Sequence, residues 1–340
     1  MRGKETEKRM IAPLAKFIDW SALQMVFALG LRSVPRPQWK LEEALEFLNG
    51  PDFIPAASNP AQIEFDGPRH FKFSTPRPSK VEENNIVYGR LYRCTERWQK
   101  RPVIILLDGS PSVGYHSAFP LLARWFNRAG FNVATLVAPY HLQRRPPRPI
   151  EWNCLMFARA IAQNVAEIRA LTGWLLDEGC PSVGLLGFSF GGWLAGFTAC
   201  SDTRIACAVL TVPAVRMTRS TPVVWRRVRE AFQALRPAHE AMDTTRLNLI
   251  LSTPVIPKEN ILLIEGIHDL FAARQPIEEL CQKWQQPEIW RLPHGHISGL
   301  FVPGLTGRVL RWLASRLNAP AVQTRPEAAI RQSDNAELIE

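Results

Sequence analysis

Val183-Gly184-Leu185-Leu186-Gly187-Phe188-Ser189-Phe190-Gly191-Gly192 reads as an apolar strand that ends in Gly-x-Ser-x-Gly and runs at once into a helix-like segment, Trp193 to Cys200. A serine hydroxyl is a weak nucleophile until a fold presents and activates it. A tight strand-to-helix turn presents it: Ser189 Oγ is pushed out beyond the sheet edge, with the Phe190 amide and the helix N-terminus aimed at whatever it attacks. Gly187 and Gly191 leave room for close backbone approaches that a Cβ would block. The bare pattern is common, so its position between strand and helix, and the rest of the chain, must decide its meaning.

Working outward, strands alternate with helices from Pro102 onward, which argues for a parallel sheet. Val103 to Leu107 is a continuous apolar run, as expected of a strand buried on both faces. A helix follows over Phe119 to Ala129, with Leu122, Trp125, Phe126 and Ala129 on one face and Gly130 as its stop. Asn132 to Ala138 is the next strand, and Leu155 to Leu176 has helical spacing up to Gly179. Ala206 to Val212, Ile261 to Ile264 and Glu288 to Leu292 complete the series. Helical faces at Ile277, Leu280, Cys281 and Trp284, and at Val309, Leu310, Leu313 and Leu317, fall between and after the last two strands. Ahead of the series lie two strand-like segments, His70 to Ser74 and Asn85 to Tyr92, and two helical candidates, Ile11 to Leu31 and Leu41 to Leu48. Phe17, Trp20 and Phe27 are expected to dock on the core, with a membrane face as the alternative.

These patterns predict an α/β chain: a mostly parallel, doubly wound sheet with helices on both faces and a helical N-terminal extension. Residues 1–69 form that extension, 70–318 the α/β domain, and 319–340, polar and without a periodic apolar face, a disordered tail. Within the domain, 214–260 is too long for an ordinary connection and reads as a cap or lid insert after the sixth strand. It contains a helix over Val223 to Leu235, and its first part, Ala214 to Arg246, has seven arginines against Glu230, Glu240 and Asp243.

A hydrophobic share of 46% with 21% charged residues is ordinary for a globular protein, whereas the net charge of +10 is not. The basic residues are dispersed and no nucleic-acid-binding pattern is present, so no nucleic-acid partner is expected; peripheral contact with a membrane is permitted. The six cysteines lack Cys-x-x-Cys spacing and read as buried free thiols of a reducing compartment. No signal peptide or bilayer-length apolar run is visible, so a cytoplasmic protein is expected. The seven histidines lack ligand spacing, and neither metal nor cofactor is called for.

Hydrolysis by a serine needs a base, a carboxylate to orient the base, and donors for the oxyanion. The strand Ile261 to Ile264 is followed by Glu265-Gly266-Ile267-His268-Asp269, which places Asp269 on the loop at its carboxyl end. The strand Glu288 to Leu292 is followed by Pro293-His294-Gly295-His296, which brings His294 or His296 to the same edge. The order Ser189, Asp269, His296 suits a triad gathered above the carboxyl edge of one parallel sheet. Tyr140, His141, Arg144 and Arg145 follow the strand Asn132 to Ala138 at that edge. They read either as binders of an anionic headgroup or as a basic loop stiffened by Pro146, Pro147 and Pro149.

From Pro102 to Leu317 the chain resembles α/β-hydrolase-fold proteins. Within them it is most similar to the serine hydrolases related to the eighteenth numbered α/β-hydrolase-domain protein of animals. Besides the segment from Gly187 to Trp193, the resemblance is carried by Glu83-Asn84-Asn85, Tyr88-Gly89-Arg90-Leu91-Tyr92, Ala138-Pro139-Tyr140-His141 and Pro293-His294-Gly295-His296-Ile297-Ser298. It implies a Ser-His-Asp ester or lipid acyl hydrolase, with His296 as the histidine of the Gly-His ending. Where many relatives have His-Gly after the third strand, this chain has Asp108-Gly109-Ser110-Pro111. The amides of Ser110 and Phe190 can still form the oxyanion hole, provided the Asp108 carboxylate is turned away or paired. The substrate expected is a small-molecule or lipid ester. The alternatives are a peptidase or thioesterase on the same fold, or a non-enzymatic member that binds a partner or membrane.

Overall fold

The structure, a computed structural model, describes residues 12–22, 40–55, 59–110, 112, 114–148, 152–218 and 226–317. Its strands are β1 (Glu64–Asp66), β2 (His70–Ser74), β3 (Ile86–Tyr92), β4 (Val103–Leu107), β5 (Asn132–Leu136), β6 (Val183–Phe188), β7 (Ile205–Thr211), β8 (Ile261–Gly266) and β9 (Glu288–Leu292). They form one sheet in the order β1-β2-β3-β5-β4-β6-β7-β8-β9. The first three strands run antiparallel to their neighbours, and β5, β4, β6, β7, β8 and β9 pair in parallel. Every parallel strand therefore delivers its carboxyl end to the same edge.

The two-residue period of a strand sorts the side chains of β4 into two layers. Val103, Ile105 and Leu107 join the larger core, with α2 (Leu41–Asn49), α4 (Cys154–Asp177), α5 (Phe190–Ala199) and α7 (Arg274–Lys283). Ile104 and Leu106 join the core under α3 (Ala118–Arg128) and α8 (Leu305–Leu317) on the opposite face. Each such fully buried Leu or Ile contributes roughly 1.5–3 kcal/mol, so both layers are needed to hold the sheet. The Asn153 side chain caps α4 by accepting the Met156 amide at 2.9 Å. Gly179, at φ 98°, closes the turn that follows the helix.

The doubly wound sheet and its helices lie where the sequence places them, with four differences. Glu64–Asp66 adds a ninth strand inside the expected N-terminal extension; all three residues are exposed, so no alternation marks it. Trp125 and Ala129, expected on the buried face of α3, are exposed, and Phe119 and Ala123 join Phe126 against the core. In the insert, α6 (Arg226–Met242) is helical, but the chain beyond it returns to the core. Trp193 Nε1 donates to the Leu247 carbonyl at 3.1 Å, Leu249 packs over Gly196, and Trp284 Nε1 donates to the Ser252 carbonyl at 2.9 Å. Ala214, Val215 and Met242, from the first part of 214–260, are likewise buried in the larger core.

The fourth difference is at the N-terminus. Residues 12–22 form a helix, α1, inside the expected span Ile11 to Leu31, whose other residues lie outside the described ones, but Phe17 and Trp20 do not dock. Phe17 and Trp20 are exposed, whereas Ala15 and Asp19 are buried. The fully buried positions are a small residue and a carboxylate, with Ile18 half-buried beside them, and the carboxylate is held by backbone amides. Phe27 and the tail 319–340 lie outside the described residues. Among the described residues no helix is long and apolar enough to cross a membrane. All six cysteines are free, and burial pushes the thiols of Cys180 and Cys207 up to about 12.

Candidate active site

Ser189 joins β6 to α5 with φ 53° and ψ −112°. Such a conformation in a non-glycine residue costs about 1–3 kcal/mol and persists only where its surroundings over-determine it. Here the Ser189 amide donates to the Thr211 carbonyl at 2.9 Å, and its carbonyl accepts from Trp193 at 3.1 Å and Ala214 at 3.2 Å. A Cβ on Gly187 would overlap the Gly191 carbonyl, and one on Gly191 would overlap the Leu107 carbonyl. The glycines are thus required by close approach rather than by φ. Tyr140, at φ 64°, and Val212, at φ 41°, are strained at the same edge, after β5 and β7.

Asp269 and His296 meet on the loops after β8 and β9. His296 Nδ1 lies 2.7 Å from Asp269 Oδ2, and both side chains are buried. The other oxygen, Oδ1, accepts the amides of Phe271 at 2.6 Å and Ala272 at 2.7 Å. With its two oxygens committed to different partners, the carboxylate has one orientation. The imidazole stacks on Phe271, with ring centroids 4.7 Å apart, and packs against Phe188 at 5.1 Å. Phe188 immediately precedes Ser189, so the histidine ring sits beside the elbow. Among the described residues no hydrogen bond joins the Ser189 hydroxyl to that ring, a contact that often closes only around substrate.

His294 is not the partner of Asp269: its carbonyl accepts the His268 amide at 3.1 Å, and burial lowers its side-chain pKa. Glu265 is a fully buried strand residue, 2.9 Å from Arg274 Nε. Trp193 is core packing, as the sequence suggests.

Asp108 resolves the departure at the third expected strand. Its Oδ1 accepts the Gly109 amide and its Oδ2 the Tyr115 amide, both at 2.8 Å, with the Gly114 amide also contributing. The carboxylate thus folds the loop back on itself. Burial still pushes its pKa up to about 6, against the pull of those amides. The space beside Gly109 opens onto Phe188 and the Cβ of Ser189, so this loop borders the nucleophile. Ser110 is exposed there, and its hydroxyl lies 3.5 Å from His141 Nε2. His141 Nδ1 sits 2.8 Å from the Pro139 carbonyl, and burial lowers the pKa of the ring.

The four residues expected to bind a headgroup separate. Arg144 is fully buried and fork-bonded to Glu167 at 2.6 and 2.7 Å, and it also donates to the carbonyls of Val137 and Asn84. It is a structural residue, because no ligand could reach it without breaking that pair. Tyr140 is buried against Trp152, and its amide donates to Asn84 Oδ1 at 3.0 Å. His141 faces Ser110, and Arg145 is exposed. Asn84 therefore fastens the 138–145 loop at the sheet edge. Sequence reasoning missed Phe188 and Phe271 as the walls around His296, and Asp19 beneath its loop.

The family described as "Alpha/beta hydrolase domain containing 18" matches residues 64–225. Two uncharacterized proteins from two strains of Mycobacterium tuberculosis are 28% identical over 231 residues, 64% of this chain and 54% of theirs. The chain thus spans about half the length of these curated relatives. Among solved structures, an esterase of Pyrococcus furiosus aligns at TM-score 0.53 and 17% identity, covering 77% of this chain and 100% of that one. An α/β-hydrolase of Penicillium aligns at TM-score 0.53 and 14% identity, covering 74% and 99%. A cold-adapted esterase from an Arctic intertidal metagenomic library aligns at 0.51 and 17%, covering 76% and 99%. With its parallel strands, elbow and helical layers, the chain is an α/β-hydrolase-fold protein, similar over residues 64–225 to the family of alpha/beta hydrolase domain containing 18.

Proposed function

We propose that the protein is a serine hydrolase that cleaves carboxylic esters through Ser189, His296 and Asp269. The observation that carries this reading is the buried 2.7 Å pair of His296 and Asp269 beside the strained elbow of Ser189. His296 takes the Ser189 proton as Oγ bonds to the acyl carbon, while the amides of Phe190 and Ser110 receive the oxyanion. His296 then returns that proton to the leaving alcohol oxygen as the ester C–O bond breaks. Water repeats the sequence on the acyl-enzyme, releasing the acid and freeing Ser189. Similarity to two esterases of the same fold supports an ester over an amide.

The test is covalent labelling by a fluorophosphonate, followed by hydrolysis of p-nitrophenyl esters of increasing acyl length. Labelling in wild type and its loss in Ser189→Ala are expected; equal labelling of both would sink the assignment. A rising rate with acyl length points to a lipid acyl ester, and parallel thioester and aminoacyl-amide panels separate the neighbouring reaction classes. Exposed Arg145 and the edge residues Tyr140 and His141 are the remaining candidates for contact with the substrate.

One observation favours membrane attachment as a second property. α1 turns Leu14, Phe17 and Trp20 outward on a chain of net charge +10. Co-sedimentation with anionic vesicles that falls with added salt and with Phe17→Ala/Trp20→Ala is the expected result.

A further inference from the structure

The loops after β8 and β9 must hold two side chains 2.7 Å apart, yet loops carry backbone amides that no ladder satisfies. Three of those amides converge on one carboxylate from a distant part of the chain. Asp19 Oδ2 accepts from His296 at 2.6 Å and from Leu270 at 3.2 Å, and its Oδ1 accepts from Ile297 at 3.0 Å. Leu270 adjoins Asp269, and His296 carries the imidazole itself. A Cβ on Gly295 would strike the Asp19 carboxylate, so the glycine before the histidine makes the space that Asp19 fills. Asp19 is fully buried, whereas Leu14, Phe17 and Trp20 of the same helix are exposed. This carboxylate, with half-buried Ile18 beside it, therefore seats α1, and Leu14, Phe17 and Trp20 take no part.

The chemistry argues against a mere packing contact. A buried carboxylate is costly unless hydrogen-bonded, and this one lies close enough to Asp269 to feel its charge. Residue 19 also lies outside the 64–225 stretch shared with the family. We propose that Asp19 is a positioning residue of the active site: it clamps the acid loop and the histidine loop in register, so that α1 completes the catalytic apparatus. The proposal rests on the reading of Ser189, Asp269 and His296 as a triad.

The experiment compares wild type with Asp19→Ala, Asp19→Asn and, as a control on the same helix, Lys16→Ala, at an exposed position. It reads kcat and KM on a soluble p-nitrophenyl ester, the rate of fluorophosphonate labelling, the unfolding midpoint, and hydrogen exchange at the amides of Leu270, His296 and Ile297. Misplacement of a reacting group by about 1 Å can cost about 100-fold. For Asp19→Ala, kcat and labelling rate are expected to fall by about 10- to 100-fold, with KM within about 2-fold and the fold retained. The three amides should exchange faster. Asp19→Asn keeps an amide oxygen for part of the donor set and should recover part of the rate, while Lys16→Ala should match wild type. Wild-type kcat in Asp19→Ala, or a loss that merely tracks the unfolded fraction, would overturn the proposal. If wild type itself neither labels nor hydrolyses, the triad reading is what fails. Exchange at the three amides still reports whether Asp19 holds the loops together.

Discussion

Asp269 divides its two oxygens between different tasks: Oδ2 faces His296 Nδ1 at 2.7 Å, and Oδ1 takes the amides of Phe271 and Ala272. This division makes Asp269→Asn a sharp test. The amide oxygen of asparagine must occupy the Oδ1 site, because only an acceptor satisfies two backbone donors. Its NH2 then faces Nδ1 and donates to it, which leaves the imidazole proton on Nε2, where it cannot serve Ser189 as a base. The geometry survives while kcat falls by about 10⁴-fold. Steady-state ester hydrolysis with a circular-dichroism control checks both halves of the prediction.

Gly191 passes so close to β4 that a Cβ would overlap the Leu107 carbonyl, a backbone atom fixed by pairing in the middle of the sheet. Neither side can yield as a flexible side chain would. Gly191→Ala is therefore expected to destabilise by more than the roughly 1–3 kcal/mol of ordinary overpacking and to remove labelling by shifting the elbow. Gly67, at φ 77° with open space around it, provides the contrast: alanine there carries only backbone strain. Thermal unfolding of the two variants should rank them in that order.

The strand ends carrying Ser189, Asp269 and His296 are legible in the sequence because each follows an apolar run whose period announces a strand. Asp19 is not legible. Its partners are backbone amides more than 250 positions away, and amides leave no trace in residue type. Asp108 shows only as an unexpected carboxylate; that it turns onto Gly109 and Tyr115 is a property of the loop's path. Arg144 is not legible for a different reason. In an Arg-Arg-Pro-Pro run it looks solvated, but its partner sits in α4, where Gln163, Asn164, Glu167 and Arg169 are all buried. Polar residues on every face of an otherwise apolar helix are the signal that such a helix has internal partners.

Asp108 predicts a pH dependence with a definite sign. Its folded pKa is raised from 3.8 to about 6, chiefly by burial. Between those values the unfolded chain has released a proton that the folded chain still holds. The contribution to stability is thus complete below the unfolded pKa and is lost as pH rises through the folded one. Unfolding free energies of wild type should fall, relative to those of Asp108→Asn, between about pH 4 and pH 6 and then run parallel. A difference that grows instead with pH would mean that the amides of Gly109 and Tyr115 outweigh burial. Chemical denaturation at a series of pH values measures it directly.

Glu167 and Arg144 form, among the described residues, the ion pair with both side chains fully buried. Glu167 also accepts from Thr75 Oγ1 at 2.6 Å, and Arg144 holds the carbonyls of Asn84 and Val137. Removing one partner leaves an uncompensated buried charge, so Glu167→Ala is expected to cost about 3–5 kcal/mol. Replacing Arg144 by alanine should cost a similar amount. Exposed Arg145 has no such environment, and Arg145→Ala should change stability by no more than about 0.5 kcal/mol. The two neighbouring arginines therefore answer different questions. A loss of activity in the Arg144 variant reports the collapse of the 138–145 loop, whereas a raised KM for an anionic ester in Arg145→Ala, at unchanged stability, reports contact with the substrate. Denaturation midpoints measured beside KM on charged and neutral esters separate the two.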